Sequence, residues 1–220
     1  MKKICKIYLF RHGQTFYNRE HIFTGWKDSQ LTPKGKRQAQ KVAIKLKNKK
    51  IDLAFQSDLS RSKQTLKEVL KYHPKTKIIT DKRIRERSYG TLEGKHHSSF
   101  VKTIGENEYK TLLHWHRIDH LNKERIKLIN KLGRSELNII RRSYTKKPPR
   151  GESIKMVERR VKSFIIDMLR IIKNKKINIA ISAHGNSMRP FRRYFEHLSI
   201  KKMMQLENPF DDYFEYTVKV

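Results

Sequence analysis

The chain has 220 residues, enough for one ordinary domain with a buried core, and 36% of them are hydrophobic while 33% are charged. Its formal net charge of +31 attracts phosphorylated metabolites, nucleic acid or anionic membrane surfaces with little selectivity, yet no zinc-finger spacing, RNP-like aromatic motif or glycine-rich clamp marks a nucleic-acid reader. The basic excess therefore reads as solvated charge with nonspecific attraction at most, and the single cysteine, Cys5, excludes an internal disulfide and a multi-cysteine zinc site.

The chain opens with Met1-Lys2-Lys3-Ile4-Cys5-Lys6, which begins like a secretory n-region, but Lys6 and Arg11 interrupt any apolar core. No segment reaches membrane-span length, so the expected setting is cytoplasmic, without a membrane partner. Ile4 to Phe10 is rich in β-branched and aromatic residues and predicts a buried first strand, with Arg11 to Thr15 as the loop at its carboxyl end. Thr32-Pro33 starts a helix whose Ala39, Val42, Ala43 and Leu46 share one face. Leu53-Ala54-Phe55 is the next strand, Ser57-Asp58 begins a helix carrying Leu66, Val69 and Leu70 inward, and Lys77 to Thr80 is a third strand. Arg85 to Gly94 has the charge and glycine content of a structured loop, after which the pattern becomes irregular.

From Arg117 to Arg150, eleven Lys or Arg stand against Asp119, Glu124 and Glu136, a basic insertion-like segment ending in Pro148-Pro149. Its spaced leucines and isoleucines fit a helical excursion or lid, and its charge fits a mobile solvated stretch equally well. Helical periodicity returns over Ser153 to Ile172, Ile177 to Ser182 is a strongly apolar strand, Asn186 starts another helix, and Tyr213 to Val220 alternates like an edge strand. Repeated strand-loop-helix units predict an α/β domain with a mostly parallel sheet and a site above the strand ends.

Four separated segments sit where such a site belongs: Arg11-His12-Gly13, Ser57-Asp58-Leu59-Ser60-Arg61, Arg85-Glu86-Arg87-Ser88-Tyr89-Gly90 and Ala183-His184-Gly185-Asn186-Ser187. Singly, each reads as a turn, a helix start or a solvated loop; their order and placement give them a common explanation. A neutral imidazole at His12 can attack a phosphoryl group in line, Arg11 and Arg61 can fork onto phosphate oxygens, and His184 adds a donor. Phosphoryl transfer rests on positioning and charge stabilisation, so this basic set needs no metal ion. Glu86 is the candidate general acid and base.

Together the segments resemble the histidine phosphatase superfamily. Thr24-Gly25-Trp26-Lys27-Asp28, Leu31-Thr32-Pro33-Lys34-Gly35, Glu86 to Gly90 and His184 to Ser187 look like the cofactor-dependent phosphoglycerate mutases, with echoes in Gly151-Glu152-Ser153 and Asn208-Pro209. That resemblance implies a single three-layer αβα sandwich over residues 1–220, and interconversion of 3-phosphoglycerate and 2-phosphoglycerate through a phosphohistidine primed by 2,3-bisphosphoglycerate. It also implies a homodimer or higher homo-oligomer. In the same mapping Asn18, Thr24 and Gly25 contact phosphate or substrate, Arg87 and Tyr89 hold its organic part, and Gly185 and Asn186 line the phosphate pocket.

The sequence departs from the family where the substrate carboxylate would be held. Near the family's lysine after the Tyr-Gly segment this chain has Lys95-His96-His97, and alignment favours His97 over Lys95 at that position; the family's Trp-Arg-Arg corresponds either to Trp115-His116-Arg117, which keeps spacing, or to Arg141-Arg142, which needs compensating insertions and deletions. Spacing favours His116 and Arg117. Phe210-Asp211-Asp212 departs as well. These changes keep a phosphatase of the same superfamily as the rival activity, with water as the acceptor. A polyanion-binding protein that does no chemistry is the remaining alternative.

Two other signals point elsewhere. Cys5 and Arg11 have the Cys-x5-Arg spacing of cysteine phosphatases, but the residues between them read as strand, without the glycines of a phosphate cradle. His114, His116 and His120 invite a zinc reading that no acidic or cysteine set completes.

Overall fold

The computed structural model describes residues 3–115 and 124–220. Its framework is a five-stranded sheet, β1 (Ile4–Arg11), β2 (Leu53–Gln56), β3 (Lys77–Thr80), β4 (Ile179–Ala183) and β5 (Tyr213–Lys219), ordered β3-β2-β4-β1-β5. All pairings are parallel except β5 against β1. The helices are α1 (Phe16–Arg19), α2 (Pro33–Leu46), α3 (Ser60–Val69), α4 (His97–His114), α5 (Arg125–Arg142), α6 (Ile154–Lys175), α7 (Gly185–Glu196) and α8 (Ile200–Gln205).

Side-chain alternation along the central strands divides the core into two layers. Cys5, Ile7 and Leu9 of β1, with Ile179 and Ile181 of β4, face α6 and α7, whereas Tyr8 and Phe10, with Ala54 and Ala180, face α2 and α3. Each face is thus covered by helices, as a parallel sheet requires, and the result is the expected three-layer arrangement. Helix α6 supplies the largest share of one layer: Val157, Val161, Phe164, Ile165, Met168 and Ile172 are each at most 1% exposed, and each such burial contributes about 2 kcal/mol.

Most elements match the sequence reading within a few residues. The α3 start is an exception, since Ser57 and Asp58 precede it and Leu59 is the cap, without a side-chain bond. The Asp28 carboxylate instead accepts from Ser60 N at 3.0 Å and Ser60 Oγ at 2.8 Å, so a residue from another loop closes the helix end.

The irregular region contains a helix the periodicity did not reveal. Helix α4 packs closely along α5, with Gly105 against the Ile129 carbonyl and Gly133 against the Val101 carbonyl. Over Arg125–Arg142 the basic segment is therefore helical. Phe23, Leu92, Phe100 and Ile140 form a small separate core that holds this hairpin beside the main domain layers. Among the described residues no helix is long and apolar enough to cross a membrane.

Candidate active site

The register of the sheet builds the site. Arg11 at the end of β1 stands opposite Ala183 at the end of β4, so the next residues, His12 and His184, leave the sheet side by side with ring centroids 4.9 Å apart. Gln56 stands opposite Ser182, which brings Ser57 level with them, and its Oγ lies 2.7 Å from His184 Nε2.

His12 is 2% exposed, and its Nδ1 lies 2.7 Å from the Gly13 carbonyl, which can only accept. Nδ1 therefore carries the proton and Nε2 keeps its lone pair. Burial first, then the Arg61 and Arg11 charges, hold the imidazole well below its usual range despite that backbone bond. His184 is held neutral in the same direction by burial, then by Arg61 and His12. Ser57 Oγ also accepts from Leu59 N at 3.3 Å, and His184 Nδ1 is a buried atom without a partner.

The guanidinium of Arg61, 1% exposed, is oriented by the Gly25 carbonyl at 2.7 Å and the Lys27 carbonyl at 3.1 Å. Gly25 adopts φ of 53°, a left-handed turn where any Cβ would collide with Glu93. Arg11 donates to the Asn208 carbonyl at 3.1 Å while its Nε is buried and unpartnered, and burial lowers its pKa to about 10. Gly185 lets this guanidinium approach, since a Cβ there would come within 3.3 Å of Arg11 Cζ. A buried guanidinium N–H without a partner, Arg11 Nε, beside a lone-pair imidazole forms a receptor for an anion.

Glu86 faces this corner at 8% exposure, its Oε1 accepting from Arg87 N at 2.7 Å and Asn186 N at 3.2 Å. The loop behind it is tied down by Arg160, which donates to the carbonyls of Arg83, Arg85 and Glu86 and pairs with Glu152. Glu152 also accepts from Ser88 N at 2.9 Å, which gives the Gly151-Glu152-Ser153 segment a structural purpose.

A cavity of about 550 Å³ opens above these groups. Arg11, His12, Asn18, Thr24, Gly25, Arg61, Glu86, Tyr89, His97, Gly185 and Asn186 line it, with His184 buried behind His12. Arg87 is a correction to the sequence reading: fully buried, it spends its guanidinium on the carbonyls of Glu152, Ile140 and Lys146, and it does not line the cavity. His116 and Arg117 lie outside the described residues.

The cavity is also lined by Arg141 and Arg142, from the last turn of α5, and by Arg189 of α7, whose charge acts on Arg11 and which donates to the Asn186 side chain at 3.2 Å. Sequence spacing set the Arg141-Arg142 pair aside, because only the α4–α5 hairpin accounts for the residues inserted before it. Arg189, two residues past the Ser187 that ends the recognised His184 segment, carried no separate signal; Ser57 lay in the recognised Ser57 to Arg61 segment and Phe210 in the departing Phe210-Asp211-Asp212, neither with a site role of its own. His97 packs its ring 4.3 Å from Phe23, and burial first, then Arg141, pushes its pKa to about 4, so it faces the cavity uncharged. The described residues contain no group of three or more His, Cys, Asp or Glu able to hold a metal ion.

Residues 7–131 and 119–213 match the histidine phosphatase superfamily (branch 1). A 2,3-bisphosphoglycerate-dependent phosphoglycerate mutase of Parvibaculum lavamentivorans is 33% identical over 204 residues, covering 90% of this chain and 83% of that protein. One from Borreliella afzelii is 34% identical over 212 residues, covering 93% and 83%. Among solved structures, a phosphoglycerate mutase from Bacillus anthracis superposes with a TM-score of 0.69 at 21% identity over 99% of this chain and 89% of its own. A mycobacterial glucosyl-3-phosphoglycerate phosphatase gives 0.70 at 20% identity over 98% and 91%. The protein is an enzyme of the histidine phosphatase superfamily, with the phosphoglycerate mutase-like fold of that group.

Proposed function

We propose that the enzyme interconverts 3-phosphoglycerate and 2-phosphoglycerate through a phosphohistidine at His12, a reaction of glycolysis and gluconeogenesis. The observation that carries this reading is the number of cations lining one small cavity. Arg11, Arg61 and His184 suffice for one phosphoryl group, whereas Arg141 and Arg142, with Arg189, lining the same cavity suit a second anionic group on the same small molecule. The relatives of about 30% identity named as 2,3-bisphosphoglycerate-dependent mutases support it.

In this mechanism His12 Nε2 attacks phosphorus as the P–O ester bond breaks, and Glu86, as the acid, protonates the leaving oxygen. A substrate hydroxyl then attacks the phosphohistidine, Glu86 takes its proton, and the P–N bond breaks. Arg11, Arg61 and His184 stabilise the charge on the equatorial oxygens throughout. The same cations would hold 2,3-bisphosphoglycerate, with one phosphate at the histidines and the other at Arg141 and Arg142; when bound, it supplies the phosphoryl group that arms His12.

One observation favours a second reading, a phosphatase. The uncharged His97 stands where the mutases carry a lysine, which weakens the grip on a carboxylate. Incubation with 3-phosphoglycerate, with and without 2,3-bisphosphoglycerate, separates the two: isomer formation is the expected outcome, and phosphate release without isomer overturns the mutase reading. His12→Ala should abolish either activity.

A further inference from the structure

In the segment joining α8 to β5, Phe210-Asp211-Asp212 departs from the family's sequence, and the structure packs Phe210 against the corner that carries His12. Asn208, 7% exposed, anchors it on three sides: its carbonyl accepts from Arg11 Nη1 at 3.1 Å, its side-chain amide donates to the Gly185 carbonyl at 2.9 Å, and its Oδ1 accepts from Arg192 at 3.2 Å. Two residues on, the Phe210 ring covers the Arg11 guanidinium with its centroid 3.9 Å from Cζ, and lies 6.3 Å from the His12 ring. Phe210 lines the cavity.

Stacking engages the face of a guanidinium and leaves its N–H edge free for phosphate oxygens. The same ring puts apolar surface on one side of the Arg11–His12 corner, and a water molecule on that side finds no hydrogen-bond partner in the ring. Water and a sugar-acid hydroxyl attack a phosphohistidine by the same step: the oxygen bonds to phosphorus, the P–Nε2 bond breaks and returns its electron pair to the imidazole, and the proton passes to Glu86. The bound substrate is held by the arginines; water is not. Apolar cover at this corner therefore disfavours the acceptor that has no other anchor.

We propose that Phe210 determines which acceptor takes the phosphoryl group from His12, shielding the phosphohistidine from water while a bound hydroxyl reaches it. This rests on the phosphohistidine of the proposed function. In the test, the wild type, Phe210→Ala and Phe210→Leu are labelled at His12 with 32P from 2,3-bisphosphoglycerate or, separately, from p-nitrophenyl phosphate. Excess donor is removed, and release of labelled phosphate is followed with and without 3-phosphoglycerate.

Phe210→Ala should shorten the phosphohistidine lifetime about tenfold or more and divert label from 3-phosphoglycerate to phosphate, while Phe210→Leu, which keeps an apolar cover, stays near wild type. Equal lifetimes in wild type and Phe210→Ala overturn the proposal. Equally short lifetimes in both variants also overturn it, because they assign the effect to stacking on Arg11 rather than to water exclusion. Label accepted from p-nitrophenyl phosphate but not from 2,3-bisphosphoglycerate removes the mutase reading and leaves the lifetime comparison to decide the role of Phe210. No label at His12 from either donor removes both.

Discussion

His12 shows how much of a nucleophile's character lies in its neighbours. The Gly13 carbonyl fixes the proton on Nδ1, and burial beside Arg61 and Arg11 keeps the ring neutral, so the attacking lone pair exists at ordinary pH without a separate base. Arg87 is the opposite case, a residue in a catalytic-looking motif that holds up the structure. Its three bonds end on backbone carbonyls, that of Ile140 in a fully buried bond, so Arg87→Ala should destabilise the fold by about 3 kcal/mol in urea unfolding. KM per folded molecule should stay within a few-fold of wild type; a large rise in KM at unchanged stability would return Arg87 to the substrate.

At the scale of elements, α5 matters because of what its last turn carries. Arg141 and Arg142 sit at a helix carboxyl end, where the dipole favours cations, and reach the cavity only because α5 packs tightly on α4. Arg141→Ala and Arg142→Ala should raise KM for 3-phosphoglycerate by about tenfold or more, while p-nitrophenyl phosphate, with no second anionic group, is barely affected. The packing can be tested at a distance from the arginines. A Cβ at Gly133 would stand 1.9 Å from the Val101 carbonyl oxygen, a backbone atom that cannot swing away. Gly133→Ala gains about 1 kcal/mol of helix propensity, and the overpacking penalty of up to about 3 kcal/mol outweighs it. A thermal melt should therefore show net destabilisation, with weaker 3-phosphoglycerate binding.

For the whole molecule, pH and salt are the informative variables. His12 and His184 are depressed in the fold, so the unfolded chain binds more protons below about pH 6.5. Stability is unaffected by them above that pH and declines as pH falls through the window below it, by up to roughly 1.4 kcal/mol per pH unit for each buried imidazole. His97 adds to the same slope between about 4 and the unfolded value. Urea unfolding at pH 7 and pH 5.5 measures this, and His184→Gln should flatten it. With a charge of +31, kcat/KM for an anionic substrate should fall as salt rises, and any RNA binding should collapse with salt far faster.

Short-range chemistry made most of this legible in advance. Apolar runs marked four strands and a terminal edge, Thr32-Pro33 and Ser153 marked helix starts, and the Arg11-His12, Arg61, Glu86 and His184 segments marked the catalytic corner, because strand ends and helix caps are local events. What stayed hidden depended on partners distant in sequence. Asp28 caps a helix it does not belong to, Arg87 is claimed by three remote carbonyls, and Phe210 reaches Arg11 across nearly the whole chain. Helix α4 has weak periodicity of its own and is stabilised by α5, which in turn carries Arg141 and Arg142 to the cavity. The candidate nucleophile and the sheet that presents it were legible along the chain, since both follow from contiguous residues. Which arginines line the cavity was settled by folding, because packing between helices sets it rather than spacing along the chain.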